Sequence, residues 1–134
     1  MGGDKAMIVA GIGFRRSVAA DEIVALVEQA LDRAAIAADA LGKLATVEAL
    51  AALPAFTEAA RRLNVVAASV AEPALSEAAP RVRTQSARSI AAHGIGSVAE
   101  AAALAAAGSR AELILERIAS PSATCALARL ETGP

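Results

Sequence analysis

The sequence predicts an α/β protein, a single-domain α/β/α sandwich on a mostly parallel mixed sheet of about five strands. Short apolar segments alternate with segments of helical periodicity, which is typical of parallel strands joined by helices. Two further apolar segments near the end of the chain are separated by a Ser/Pro turn, which predicts a C-terminal β-hairpin. The 134 residues suit one domain, with its core at about residues 7–130.

The first half of the chain contains three predicted strands and two predicted helices. Residues 7–10 form a continuous apolar run, which predicts a buried strand. A helical period follows over about residues 17–38, where the apolar face consists of Ile23, Val27, Ala30, Leu31 and Ala34. We expect Gly42 to close this unit and residues 44–47 to form a second strand. Pro54 suits the start of a helix over 55–63, and the β-branched residues of 65–70 predict a third strand.

The second half begins with a short helical turn between two prolines, followed by a polar basic segment, residues 81–88, that is predicted to be a loop. A helical turn over 89–93 should stop at Gly94.

A capped helix follows. Ser97 and Glu100 have the spacing of a capping box, and Gly108 suits the C-terminal stop. Its interior is almost all alanine, so this helix can lie very close to another backbone. Residues 113–115 and 124–130 form the predicted hairpin.

Composition excludes several classes of function. The 14 acidic and 13 basic residues give a net charge of -1, and Phe14 and Phe56 are the only aromatic residues, which argues against nucleic-acid binding. No apolar run reaches the roughly 18 residues of a membrane span. One cysteine, Cys125, and no signal-peptide pattern indicate the reducing cytoplasm. The single histidine and single cysteine lack metal-ligand spacing, so we expect neither a metal nor a resident cofactor.

Gly11 and Gly13, followed by Arg15 and Arg16, are predicted to form a turn between a strand and a helix. Glycines leave backbone N–H groups accessible there, and two arginines beside them suit a carboxylate or a phosphate. A dinucleotide-binding fold would place a third glycine where Arg16 stands. A nucleotide-binding module therefore stays an alternative, and it depends on this turn alone. A second alternative is a plain turn whose arginines are solvated.

Arg81, Arg83 and Arg88 form a second basic cluster. Connections after strands gather at one edge of an open α/β sheet, where ligands bind, so this cluster is expected to face the same crevice as the Gly11 turn. Arginine forks match carboxylates geometrically. The alternative is a solvated charged loop.

His93 and Glu100 are the candidates for proton transfer. His93 precedes Gly94, where a histidine is usually a partner for helix-terminal carbonyls. Glu100 is explained by the capping box, although a carboxylate near a helix N-terminus could also orient a ligand. Cys125, inside a predicted strand, is interpreted as a buried, inert thiol.

Three segments resemble a known family. Residues 97–104, Ser-Val-Ala-Glu-Ala-Ala-Ala-Leu, are similar to a signature of the CobE and CbiG C-terminal domain family of cobalamin biosynthesis. Residues 9–16 and 123–129 agree with it, and the resemblance extends over about residues 7–129. The resemblance is strongest at Gly11, Gly13 and Arg15 and in the segments that contain Ser97 and Thr124. It implies that these five residues bind the ligand.

The resemblance implies a protein that binds a polycarboxylate corrin or precorrin intermediate, as a carrier or helper of neighbouring pathway enzymes. The alternative is an enzyme acting on the precorrin ring, such as the hydrolases of this family that open a lactone on a cobalt-containing tetrapyrrole. The expected partners are the tetrapyrrole and other enzymes of the pathway.

Overall fold

A computed structural model describes residues 6–131 and the side chains of residues 7–130. One mixed sheet has the strand order β3-β2-β1-β5-β4. Its strands are β1 (Ala6–Phe14), β2 (Leu41–Val47), β3 (Val66–Val70), β4 (Glu112–Ala119) and β5 (Ala123–Glu131). Strands β1, β2 and β3 are parallel, whereas β5 is antiparallel to both β1 and β4. The predicted fold class, including the C-terminal hairpin, is therefore confirmed.

The described chain has five α-helices, four of which cover the two faces of the sheet. They are α1 (Ala20–Arg33), α2 (Pro54–Leu63), α3 (Glu72–Ala78), α4 (Ala87–His93) and α5 (Val98–Ala107). Helices α1 and α2 bury their apolar residues against one face, and α3 and α5 bury theirs against the other. The two resulting clusters of buried residues form the core.

The local sequence explains where these helices begin and end. Helix α1 has two acidic residues in its first turn, which favours the positive end of its dipole, and it buries a stripe of apolar residues. Proline starts α2, and Asn64 ends it in the left-handed conformation with φ 59°. Gly94 ends α4 with φ 72°, as predicted.

Helix α5 is buried almost all round and packs directly on the sheet. A Cβ atom on Gly11 would overlap the carbonyl oxygen of Ala99 and lie 2.5 Å from the backbone nitrogen of Ala103. The predicted close approach of the alanine helix to another backbone is thus confirmed, and β1 is the strand that it contacts.

Several local predictions are wrong in their boundaries. Gly11 and Gly13 lie inside β1 rather than in a turn, because β5 pairs with β1 along its full described length as far as Phe14. Gly42 lies inside β2 rather than closing the preceding unit, and Arg88 belongs to α4 rather than to a loop. Pairing with neighbouring strands extends β1 and β2 beyond their local sequence signals, whereas α4 begins at Ala87 because Ser86 caps its N-terminus.

No single helix within residues 6–131 is long and apolar enough to cross a membrane. Helices α4 and α5 reach the required length and composition only when they are taken together, and they are bent by 65° where they meet.

Candidate functional site

A cavity of about 390 Å³ lies where β1 ends. Its walls come from the end of β1, the turn after β2, helix α4 with its N-cap, the start of α5 and the β4–β5 hairpin. The lining residues are Gly13, Phe14, Arg15, Leu50, Ser86, Arg88, Ser89, Ala92, His93, Ser97, Val98, Arg117, Ala119, Ser120, Pro121, Ser122, Ala123 and Thr124.

The topology of the sheet explains the position of this cavity. From β1 the chain builds β2 and β3 on one side, and it then crosses to the other face and adds β4 and β5 on the opposite side of β1. The order of the strands therefore switches beside β1. In open α/β sheets, ligands bind outside the carboxyl end of the strands at such a point.

The lining is strongly basic. Arg15, Arg88, Arg117 and His93 all line the cavity, and no described lining residue is an aspartate or a glutamate. The whole chain carries a net charge of -1, so this concentration of positive charge is a property of the site and not of the protein. A cavity with this lining attracts anions.

Hydrogen bonds fix the rim at Arg15. Its backbone N–H donates to the carbonyl oxygen of Ser122 (3.0 Å), which ties the end of β1 to the hairpin turn. Glu22, in the first turn of α1, accepts hydrogen bonds from the Ser120 hydroxyl and from the Ser122 N–H (2.7 Å). Both hydrogen bonds lower the pKa of Glu22, and the bond from the Ser120 hydroxyl has the larger effect. The turn is therefore held against α1.

The cavity also has an apolar wall. Phe14 stacks on the fully buried Phe56, with ring centroids 6.0 Å apart and ring planes inclined by 13°. Leu50 and Val98 line the cavity with it. A ligand with both an apolar body and anionic groups would match this combination.

Glu100 lies behind this lining and is fully buried. One carboxylate oxygen, Oε1, accepts from the backbone N–H groups of Arg83 (2.6 Å) and Thr84 (3.0 Å). The other, Oε2, accepts from the Thr84 hydroxyl (2.6 Å) and the Arg117 N–H (2.9 Å). Burial acts to raise the pKa of Glu100, but these four bonds outweigh it and hold the pKa below its ordinary value of 4.5.

Only half of the predicted capping box forms. The Ser97 hydroxyl accepts from the Glu100 N–H (3.2 Å), as the spacing predicts. The Glu100 carboxylate, however, binds the loop at Arg83 and Thr84 and strand β4 at Arg117. The Glu100 side chain therefore connects segments that are distant along the chain and does not cap its own helix.

Comparison with known proteins identifies the family. The model of the family described as cobalamin synthesis G C-terminus matches residues 8–128. The chain belongs to this family. It is therefore a protein of cobalamin biosynthesis, and the resemblance noted in the sequence is confirmed.

Three relatives of this cobalamin synthesis G C-terminal domain cover most of it. Protein CobE of Sinorhizobium sp. is 40% identical over 121 residues, which are 90% of this chain and 79% of the relative. The crystal structure of a CobE from the cobalamin pathway has a TM-score of 0.88 and 34% identity, over 96% of this chain and 94% of the other. The cobalamin biosynthesis protein chiG of Agrobacterium tumefaciens has a TM-score of 0.72 and 36% identity, over 90% and 96% of the two chains.

A larger protein contains the same domain. The putative cobalamin biosynthesis protein G homolog of Sulfolobus solfataricus has a TM-score of 0.69 and 27% identity over 92% of this chain. The match covers 36% of the Sulfolobus chain, so the domain forms about a third of that protein.

The cavity brings together a subset of the residues that the sequence singled out in this family member. Those that line it are Gly13, Arg15, Arg88, His93, Ser97 and Thr124. The described lining does not include the other candidates: Gly11 is buried under α5, Glu100 lies behind the wall, and Arg16 is exposed.

Two arginines of the second basic cluster have protein partners. Arg83 forms an ion pair with Glu116, with 3.7 Å between its Nη1 and Oε2, and it is absent from the described lining of the cavity. Arg81 donates to the carbonyl oxygen of Ala111 (2.9 Å). Of this cluster only Arg88 reaches the crevice, because it lies on α4 and not in the loop.

Sequence reasoning missed Arg117 and the serines that line the cavity, namely Ser86, Ser89, Ser120 and Ser122. The predicted strand ended at residue 115, but β4 continues to Ala119 and leads directly into the hairpin turn. The position of Arg117 just before that turn, opposite the segment of Thr124, is the signal that could have found it.

Two further expectations concern cysteine and metal chemistry. Cys125 is fully buried, and burial raises the pKa of its thiol to about 12, which agrees with an inert side chain. The described residues contain no group of three or more histidine, cysteine, aspartate or glutamate side chains that could hold a metal ion.

Proposed function

We propose that this protein binds a polycarboxylate corrin or precorrin intermediate in the basic cavity. The observation that carries the proposal is the lining: three arginines from three separate segments and no described acidic residue, in a chain of net charge -1. Planar guanidinium groups bind carboxylates through paired, charge-assisted hydrogen bonds. The intermediates of the pathway to which the family belongs carry several carboxylates around an apolar ring.

The dimensions of the cavity favour binding of one edge of the ring. A volume of about 390 Å³ is smaller than a macrocycle of four pyrrole rings with its acid side chains. One edge of the pigment would insert its carboxylates between Arg15 and Arg88, while its apolar rim would contact Phe14, Leu50 and Val98. The start of α5 at the cavity adds the positive end of a helix dipole.

A binding role is favoured over catalysis because Glu100 has no free acceptor position facing the cavity. It is fully buried and its carboxylate already accepts four hydrogen bonds. A pigment held by one edge would stay accessible to a neighbouring enzyme of the pathway, as a carrier or helper requires.

An enzyme acting on the precorrin ring is the second candidate. His93 supports it, because this side chain is exposed and lines the same cavity, where an imidazole could transfer a proton. A carrier would release the pigment chemically unchanged, whereas an enzyme would not.

The binding proposal is tested by titrating cobyrinic acid, a corrin polycarboxylate, into the purified protein and following its absorption spectrum. Each charge-assisted hydrogen bond contributes about 1.5–3 kcal/mol, so Arg15→Ala and Arg88→Ala should each weaken binding about tenfold or more. Cobinamide, in which amides replace the carboxylates, should bind much more weakly to the wild type.

Arg33→Ala is the matched control, since Arg33 lies at the far end of α1 from the cavity. Arg16→Ala tests whether an exposed arginine next to the cavity contributes to binding, and it should change the affinity little. Equal binding by the wild type and both cavity variants, or no binding at all, would remove the proposed site. Mass spectrometry of the recovered pigment then distinguishes the carrier from the enzyme, with His93→Ala as the variant that should abolish any conversion.

A further inference from the structure

We infer that Arg117 is the anchoring cation of the cavity and that Glu100 is the positioning residue that holds it there. This inference rests on the proposed function, because it names the group that would bind a carboxylate of the corrin most tightly. Neither the sequence motifs nor the basic segment around Arg83 pointed to Arg117.

A β-bulge in β4 places Arg117. Leu115 pairs with Leu127 and Ile118 pairs with Cys125, so Glu116 and Arg117 together lie opposite the single residue Ala126. Such a bulge frees backbone groups from the ladder and redirects a side chain, and bulges are frequent beside active sites.

Glu100 stabilises this bulge from the adjacent helix. The backbone N–H of Arg117 donates to Oε2 of Glu100 (2.9 Å), and the Thr84 hydroxyl donates to the same oxygen (2.6 Å). The buried carboxylate therefore fixes the backbone of Arg117 relative to α5 and to the loop at Thr84. Because its pKa lies below the ordinary value, Glu100 stays ionised at neutral pH and accepts these bonds at full strength.

The guanidinium of Arg117 is suited to a ligand. Its Nε is buried and has no hydrogen-bond partner among the described residues, and Arg117 lines the cavity. Buried N–H donors are rarely left without an acceptor, so among the described residues nothing at Nε competes with a carboxylate in the cavity for this guanidinium. Arg117 is also less exposed than Arg15 and Arg88, so an anion beside it would be screened less by water.

The test measures cobyrinic acid affinity for the wild type, Arg117→Ala, Arg117→Lys and Glu100→Gln. Arg117→Ala should weaken binding more than tenfold without lowering the thermal unfolding midpoint, because it removes an unpaired donor. Arg117→Lys keeps the positive charge but loses the planar guanidinium that pairs with a carboxylate. Its affinity for cobyrinic acid should therefore lie between those of the wild type and the alanine variant. Arg110→Ala, an exposed arginine before β4, is the control and should bind as the wild type does.

The positioning role of Glu100 is tested by double variants. Glu100→Gln should weaken binding in the wild type and in an Arg15→Ala background, but it should have little further effect in an Arg117→Ala background. A purely structural role would give the same loss in all three backgrounds. Should Glu100→Gln fail to fold, Thr84→Val is the milder substitution, because it removes only the hydrogen bond from the Thr84 hydroxyl to Glu100. Its effect on affinity is then compared in the same three backgrounds.

The outcomes separate this inference from the proposed function. If the wild type does not bind cobyrinic acid, both fail together. If the wild type binds and Arg15→Ala weakens binding, but Arg117→Ala binds as the wild type does, only the role of Arg117 is overturned. Equal losses for Glu100→Gln in all backgrounds would overturn the role of Glu100 alone.

Discussion

Gly11 on β1 and Ala99 on α5 are in direct backbone contact. A Cβ on Gly11 would overlap the carbonyl oxygen of Ala99, and it would also lie within 2.5 Å of the Ala103 nitrogen. A glycine on the strand and alanines on the helix are therefore both required for α5 to lie this close to the sheet. The start of α5 and the end of β1 form two walls of the basic cavity, so this packing also determines the geometry of the site.

We expect Gly11→Ala to destabilise the protein by about 1–3 kcal/mol, or more if α5 cannot move away, because the added methyl overpacks against backbone atoms. Chemical denaturation followed by circular dichroism measures the change. Gly42→Ala is the matched control, since its Cβ would meet its nearest neighbours at 3.7 Å, an ordinary contact distance. Equal stability of the two variants would contradict the close packing described for Gly11.

Ser97→Ala should lower the free energy of unfolding by about 0.5–2 kcal/mol, because it removes the hydroxyl that caps the N-terminus of α5. Thermal or urea unfolding measures this loss. Ser76→Ala, at an exposed position of α3, should change stability little. A Ser97→Ala variant of full stability that no longer binds the pigment would mean that this serine acts on the ligand instead.

The contribution of Glu100 to stability should depend on pH. Its pKa is lower in the folded protein than the ordinary value of 4.5, so its stabilising effect is complete above that value and is lost as the pH falls through the folded-state pKa. Glu100→Gln should therefore be less stable than the wild type at neutral pH, by about 1.5–3 kcal/mol for each charged hydrogen bond that is lost. The difference should shrink at acidic pH. Denaturation curves at a series of pH values measure it, and a constant difference would refute the prediction.

Cys125 should not react with a thiol reagent in the native state. It is fully buried, and its pKa of about 12 leaves almost no thiolate at mildly alkaline pH. Ellman's reagent should modify it only after denaturant unfolds the chain. Rapid modification of the native protein by one equivalent of reagent would show that β5 is accessible and that the described burial is incorrect.

Much of the fold follows from local patterns. The alternation of strands and helices, the proline at the start of α2 and the glycine stops at Gly94 and Gly108 predicted elements that the structure confirms. Boundaries failed where pairing with a distant strand extends an element, as β5 extends β1 through Gly11 and Gly13. Hydrogen bonding across a sheet stabilises residues whose own propensity is weak, and a local pattern does not contain that term.

The sequence by itself determined the α/β class, the capped alanine helix and the basic residues Arg15 and Arg88, because each depends on residue type and spacing within a short segment. Only the tertiary structure decided which of these residues meet. In the folded protein the Glu100 side chain is buried and bonds to two distant segments instead of capping its own helix. Arg83 pairs with Glu116, and Arg117 lies at a β-bulge beside the cavity. The physical reason is that strand register and helix–sheet contacts join residues far apart in sequence, and these contacts determine which charges are buried, paired or accessible to a ligand.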